Sequence, residues 1–343
     1  MNFTIDISHW YSVNKRILPW RESKDPYKVW LSEIILQQTK VEQGMPYFHA
    51  FVSKYPKVSD LANASEEEVL HLWQGLGYYS RARNLHFTAK KITEDYDGKF
   101  PNTYKELLKL KGVGDYTAAA ISSICFEESQ AVLDGNVFRV LSRYFGIDIP
   151  IDSTEGKKFF RSKAQELLPN ENIGDYNQAL MDFGSQQCKP KKPNCSDCLL
   201  SKDCVAFQIG SQTNLPVKKG KTKVKNTVFN YLIFDCPDKK TAIRKRDSGI
   251  WKNLYEFPFI ESSKDLRQQD VENYIKENYS FDFEVDSLSD FTVLHKLSHR
   301  HIRAVFYRVF IHENIDDLVL WKDLKDYPMP VLLNNFVAEY TNQ

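Results

Sequence analysis

Four cysteines, Cys188, Cys195, Cys198 and Cys204, are separated by six, two and five residues just ahead of a lysine-rich stretch. That spacing gathers four thiols in one short segment, as a tetrahedral or cubane metal site requires. The loop between the first two, Lys189 to Asn194, holds two prolines and three lysines, a composition suited to a ligand loop rather than a packed core. Ordinary buried or disulfide-linked cysteines are the competing explanation. Clustering argues against it, as does an N-terminus, Met1 to Trp10, with no basic segment followed by an apolar run to mark it for secretion. Spacing alone leaves zinc and iron–sulfur both open.

At 343 residues the chain exceeds the usual size of one domain, so two are expected. No stretch has the uninterrupted apolar length of a membrane span, and a cytoplasmic, nucleoid-associated protein that works as a monomer is the expectation. Lysine plus arginine (46) nearly cancels aspartate plus glutamate (45), so any nucleic-acid binding must come from local patches. Cys125 and Cys236 lie far from the cluster and are expected to be buried thiols.

The first part of the chain, 1–211, is expected to be all-α. Ser65-Glu66-Glu67-Glu68 has the pattern of a capped helix start, and Pro101-Asn102-Thr103 precedes a second helical run through Tyr104, Leu107, Leu108 and Leu110. Residues 212–226 carry five lysines and no acid, with Pro216 and Gly220, and have the makeup of a solvated linker that could also follow a phosphate backbone. Beyond it, 227–343, the texture changes. Val228 to Phe234 and His301 to Ile311 are β-branched and aromatic, and Asp270 to Tyr279 has a helical pattern, so an α+β domain is expected.

Three segments before the linker point to chemistry. Around 105–125, Leu110-Lys111-Gly112-Val113-Gly114-Asp115-Tyr116 joins two helical patterns through a Gly-x-Gly turn, and the free N–H groups opening the second helix suit a phosphate. Leu133-Asp134-Gly135-Asn136-Val137 places Asp134 where it is either a helix cap, a catalyst or both. Glu33 lies among Trp30, Leu31, Ile34, Ile35 and Leu36, where a carboxylate is desolvated and its neutral form favoured; a structural ion pair and a functional acid both remain open. Behind it, Gln37-Gln38-Thr39 offers groups able to address base edges. Gly75-Leu76-Gly77-Tyr78-Tyr79 with Arg81 and Arg83 suggests an apolar wedge flanked by phosphate-binding guanidiniums.

Together these residues resemble a MutY-type adenine DNA glycosylase of the helix–hairpin–helix superfamily. The resemblance spans nearly the whole chain and includes Trp10-Tyr11, Leu18-Pro19-Trp20-Arg21, Asn177-Gln178-Ala179-Leu180-Met181-Asp182-Phe183-Gly184 and the cysteine loop 188–204. It implies a multidomain protein with an all-α helix–hairpin–helix catalytic domain and a MutT-like (nudix-like) α+β domain. It implies that the four cysteines hold a [4Fe–4S] cluster, and that the substrate is duplex DNA with adenine opposite 8-oxoguanine or guanine. Glu33 would be the general acid and Asp134 the carboxylate steadying the oxocarbenium-like sugar, with Tyr116 and Asn136 near the reacting sugar. Trp30 and Gln178 would line the adenine pocket; Gln38, Thr39, Leu76 and Tyr78 would intercalate or touch the lesion strand. Gly112, Gly114, Arg81, Arg83, Lys189, Lys191 and Lys192 would follow the DNA backbone.

The resemblance extends to the second domain, where Gly249 to Pro258 matches a strand-turn signature and Leu297-Ser298-His299 a lesion-reading loop in which the family more often begins with phenylalanine. Ser298 and His299 would read the lesion. No Arg-Glu-x-x-Glu-Glu box follows the linker, and His295, His299 and His301 suit strand alternation better than a metal. Lys111 stands where the family usually has proline, which should loosen the hairpin and add charge near phosphate. Endonuclease III-type relatives with lyase activity carry a lysine where this chain has Tyr116, and a phenol cannot form a Schiff base. A monofunctional enzyme is therefore expected, with a bifunctional glycosylase–lyase and a non-catalytic iron–sulfur damage sensor as the alternatives.

Overall fold

The computed structural model describes residues 2–220, 224–313, 315 and 317–342. Lys221, Thr222 and Lys223 of the expected linker lie outside the described residues. The chain divides into two compact units, Met1–Asn63 with Asn84–Gly220, and Ala64–Arg83 with Lys221–Gln343. This differs from a single cut near 211 in two places. The stretch up to Gly220 is tied to the first unit, because Arg143 donates to Leu215 O, Ile151 N to Val217 O, and the amides of Lys219 and Gly220 to Asp152. The segment Ala64–Arg83 joins the second unit through side chains that find partners there: Asn253 donates to Glu66, Arg83 to Lys252 O and Tyr79 OH to Met329 O.

Helices before the linker run α1 (Phe3–Asn14), α2 (Pro26–Leu36), α3 (Val41–Lys54), α4 (Val58–Asn63), α5 (Glu66–Leu72), α6 (Ser80–Asp95), α7 (Tyr104–Leu107), α8 (Asp115–Phe126), α9 (Gly135–Phe145), α10 (Thr154–Glu166), α11 (Ile173–Gln186) and α12 (Val205–Gln208). Side-chain caps fix several starts. Asp25 accepts from Tyr27 N with Pro26 at the first helical position of α2, and Ser65 and Glu68 form the reciprocal capping box of α5. None of these helices is long and apolar enough to cross a membrane.

The helix after Pro101 is shorter than expected. α7 is one turn, and the chain tightens through Leu108–Lys111 to reach Gly112 at φ +81°, a left-handed conformation that favours glycine. Thr88 on α6 pins this turn by donating to Lys111 O at 2.8 Å. The small residues Ala118 to Ala120 of α8 are buried, which allows α8 to pack closely on both α2 and α11. Gly184 serves the same end, since a Cβ there would meet Cβ of Asn136 at 2.6 Å. α11 can thus lie directly on the N-terminus of α9.

In the second unit β1 (Lys225–Asp235), β2 (Lys240–Ala242), β3 (Arg244–Lys245), β4 (Tyr255–Glu256), β5 (Phe259–Ser262), β6 (Phe283–Ser287), β7 (Val293–Lys296), β8 (Arg300–Ile311) and β9 (Leu318–Leu320) accompany α13 (Gln268–Asn278) and α14 (Val331–Tyr340). The main sheet has the order β5-β1-β8-β6, with β7 also on β8. β1 and β8 run parallel, Asn230 opposite Val305, and the other pairs are antiparallel. Both faces of β1 are covered, hence its unbroken buried run from Thr227 to Phe234. Val228, Leu232 and Phe234 meet Val271 and Ile275 of α13; on the other face Phe306 stacks on Phe336 of α14 at 4.0 Å. Antiparallel β7 and β8 are joined by a turn, closed by Leu297 N donating to Arg300 O, that carries Leu297, Ser298 and His299.

Candidate active site

In the first unit α2, α8, α9 and α11 bring their polar residues together. Tyr116, in the first turn of α8, donates to Oε2 of Glu33 at 2.5 Å, and Sδ of Met181 on α11 lies 3.5 Å from the same hydroxyl. Burial pushes the Glu33 carboxyl above its ordinary value. The Tyr116 hydroxyl and the charge of Arg21 oppose that shift, and the charge of Asp134 adds to it. Burial also holds the Tyr116 phenol far above its ordinary value, so it stays a neutral donor.

Asp134 is the N-cap of α9. Its Oδ1 accepts from the amides of Asn136 (2.9 Å) and Val137 (2.7 Å), and its Oδ2 from the Asn136 side chain at 2.6 Å. Burial raises this carboxyl too, while those three donors and Arg139 favour its ionised form. The two acids therefore differ in kind: Glu33 faces one hydroxyl, Asp134 three N–H donors at a helix N-terminus.

α9 links this cap to the cysteine loop. Arg139 donates to Oδ1 of Asn136 (2.8 Å), to Gly184 O (2.6 Å) and to Cys188 O (2.7 Å). One turn on, Arg143 donates to Lys189 O (2.8 Å) and Pro190 O (3.2 Å) and approaches Cys188 Sγ at 3.4 Å. Cys188, Cys195, Cys198 and Cys204, all half-buried, line one small cavity with Arg143. Four thiols beside a guanidinium fit a bound anionic thiolate cluster, although among the described residues no three His, Cys, Asp or Glu side chains converge as holders of one metal ion. Lys189, Lys191 and Lys192 are exposed on the same loop. Cys236 is buried and Cys125 half-buried.

Trp30 is only 1% exposed and packs edge-on against Phe100, with its indole N–H buried. Gln178 is buried, its amide nitrogen 3.5 Å from Asp175. Gln38 is exposed in a left-handed conformation at the end of α2, and Thr39 donates weakly to Gln37 O. Gly112 and Gly114 lie exposed at the hairpin, while Lys111 rests its ammonium 4.5 Å from the Phe87 ring.

In the second unit the 75–83 loop is built differently from a wedge flanked by free arginines. Leu76 is 6% exposed, and Tyr78, at φ +47°, is the residue that faces solvent, at 42%. Arg81 donates to Leu76 O and Gly77 O and lies over the rings of Trp73 and Tyr78, and burial lowers its guanidinium to about 10. Arg83 spends one nitrogen on Lys252 O. Both arginines thus shape protein rather than present themselves wholly to phosphate. Tyr78 OH donates to Ser298 Oγ at 2.9 Å, and His299 Nδ1 is 3.5 Å from that oxygen, so these three form one exposed polar group. His295 and His301 occupy two different strands, β7 and β8, with His299 in the turn between them, so the three do not alternate along one strand.

Sequence reading gave no role to Arg16, Arg21, Arg139, Arg143 or Asp182, although Arg21 and Asp182 stand within segments that carry the resemblance. A signal existed for two kinds of them. Arg139 and Arg143 stand four apart on the helix that Asp134 opens, and Asp182 interrupts the apolar run Ala179 to Phe183 much as Glu33 interrupts its own.

Residues 31–169 match the model of the HhH-GPD superfamily base excision DNA repair proteins, and 230–339 match the NUDIX domain. Adenine DNA glycosylase of Buchnera aphidicola subsp. Baizongia pistaciae is 36% identical, over 93% of this chain and 90% of its own. Adenine DNA glycosylase of Homo sapiens is 43% identical over 60% of this chain and 39% of its own. Among solved structures, a thermostable thymine-DNA glycosylase superposes with a TM-score of 0.56 at 32% identity, covering 60% of this chain and 95% of that one. A non-covalent endonuclease III–DNA complex shares the fold at TM-score 0.53 and 21% identity, over 60% and 94%.

Replacing Arg81 with alanine removes two hydrogen bonds and a stacked guanidinium from the 75–78 turn. It is expected to cost about 1–3 kcal/mol in thermal or denaturant unfolding and to speed amide exchange at Gly77 and Tyr78. Unchanged exchange there would contradict the role given to Arg81.

Proposed function

The chain belongs to the adenine DNA glycosylase family, and from that premise we propose that it removes adenine mispaired with 8-oxoguanine or guanine by hydrolysing the N-glycosidic bond. DNA is the substrate and base-excision repair the setting. The observation that carries the mechanism is the Tyr116–Glu33 hydrogen bond beside an Asp134 that accepts from three N–H donors. The adenine leaves the stack to reach these groups. Glu33, favoured in its neutral form by burial and by the charge of Asp134, protonates the adenine ring so that it departs as a neutral base. Asp134, its anion held by Val137 N and by the amide and side chain of Asn136, steadies the positive sugar. One acid stays neutral and the other ionised because their surroundings differ, the division of labour seen in glycoside hydrolysis.

Tyr116 supports a hydrolase without lyase activity: a phenol held neutral offers no amine for a Schiff base. The pairing of two desolvated carboxylates, one met by a single hydroxyl and the other by three N–H donors, weighs against a non-catalytic sensor. Gln38 and Thr39 in one unit, and Tyr78, Ser298 and His299 in the other, are the groups assigned to the lesion strand; the exposed hairpin glycines and the loop lysines are assigned to phosphates. Cys188, Cys195, Cys198 and Cys204 would hold a [4Fe–4S] cluster in a reducing, cytoplasmic setting. When bound it supplies structure, fixing the loop that carries Lys189, Lys191 and Lys192.

The wild type is expected to release adenine from duplexes with adenine opposite 8-oxoguanine, faster than opposite guanine, with strand breaks only after alkali. Glu33→Gln should slow single-turnover release about 10²–10⁴-fold. Undiminished release by that variant, or strand scission without alkali, would overturn the mechanism. Purified protein should be brown and contain about four irons per chain, and removing them should abolish duplex binding through the loop lysines; colourless protein with one zinc would replace the cluster assignment.

A further inference from the structure

α10 presents one face to the protein and another to solvent. Gly156, Phe160 and Ala164 are buried, and Phe160 meets Phe138 of α9 edge-on at 5.2 Å. Gly156 lies so close to the preceding chain that a Cβ there would meet Pro150 O at 2.0 Å. Gln165 ties the helix to the segment leading into Asp134, accepting from Ala131 N at 3.0 Å and donating to Ser129 O at 2.9 Å. The helix is thus fixed in place. Lys157, Lys158 and Arg161 are exposed on its outer side, at the three- and four-residue spacings that put side chains on a common face. They line an open groove of about 940 Å³ whose lining also includes Asp115 and Tyr116, in the first turn of α8.

Charge in this groove is unbalanced, because both of its carboxylates are already spent. Asp115 accepts from Tyr104 OH at 2.6 Å and pairs with Arg161 at 3.0 Å, while Glu166 pairs with Lys163 at 2.8 Å. Among the described residues, Lys157 and Lys158 lie within ion-pair distance of no carboxylate. Asp115 directly follows Gly114, where the hairpin is assigned to phosphate, and a bare carboxylate there would repel one. Its pairing with Arg161 cancels that charge and holds a guanidinium beside the hairpin. Ala119, Leu133 and Phe138 add apolar surface suited to a sugar.

We propose that this groove is a phosphodiester subsite, in which Lys157, Lys158 and Arg161 hold one backbone phosphate of the strand that carries the extruded adenosine. It rests on the function proposed above, and adds α10 to the hairpin and the cysteine-loop lysines as a contact of the DNA. The groove reaches Tyr116, the residue bonded to Glu33, so its occupant is continuous with the substrate. An acidic protein segment lying there would instead compete with the DNA.

The test is binding of the full chain, in the Glu33→Gln background, to a labelled duplex with adenine opposite 8-oxoguanine, by fluorescence anisotropy over a range of salt. Substituting Lys157→Gln, Lys158→Gln and Arg161→Gln together should weaken binding and lower the slope of log affinity against log salt by about one, the loss of one phosphate contact. A series of duplexes, each with a single neutral methylphosphonate linkage near the adenosine, then locates the contact. At one linkage the chain with α10 intact should lose affinity while the triple variant loses none. An unchanged slope overturns the proposal, as does a loss spread evenly over every linkage. Where Arg161→Gln loosens the hairpin, the two lysine substitutions alone decide by the same linkage test. Adenine release by wild type is followed alongside. Release with an unchanged slope contradicts the subsite alone, whereas the predicted linkage pattern without release contradicts the function and leaves the subsite standing.

Discussion

A half-buried carboxyl on an apolar helix, touched by one hydroxyl, is the constraint on which the catalytic unit turns. Glu33 can occupy α2 only because its neighbours Leu31, Ile34 and Ile35 bury one side of that helix while Tyr116 meets the acid on the other. The alanine-rich face of α8 is what lets the two helices come within reach. Buried Ala118, Ala119 and Ala120 keep α8 slim where it packs on α2 and α11, and a hydroxyl 2.5 Å from a carboxyl tolerates little displacement. Packing and chemistry are here the same requirement.

From that contact the organisation spreads along two helices. α9 begins at the Asp134 cap and ends its useful face at Arg143, so one rigid element sets both the second carboxylate and the carbonyls of the cysteine loop. α11 lies on the start of α9 because Gly184 has no side chain to keep it away. The same helix brings Met181 to the Tyr116 hydroxyl and Asp182 to Arg16 and Arg21. The second unit follows a different logic. A parallel pair buried on both faces supports an exposed turn, and the 64–83 segment, distant in sequence, brings Tyr78 to Ser298 of that turn.

Much of this was legible residue by residue. The Ser65–Glu68 capping box, the Gly112 turn, the Asp134 cap and the strands at Val228 and His301 all carry local signals, and local backbone physics decided them. The family motifs carried Glu33 and Tyr116. What was not legible depends on distant partners. Trp30 has the same residue type whether it lines a pocket or seals a core, and Arg81 carries the same charge whether it meets a phosphate or the carbonyl of Leu76. Parallel pairing of β1 with β8 leaves no local mark, because the intervening chain can route either way. The allegiance of Ala64–Arg83 to the second unit is likewise set by Lys252, Asn253 and Met329, far along the chain.

The most direct measurement is the protonation state of Glu33 itself, by infrared difference spectroscopy of the full chain with isotope-labelled glutamate. The account predicts a protonated carboxylic acid band that persists above the ordinary glutamate range and disappears in Glu33→Gln. A Glu33 that ionises with an ordinary midpoint would contradict it, since no proton would then stand ready for the departing base.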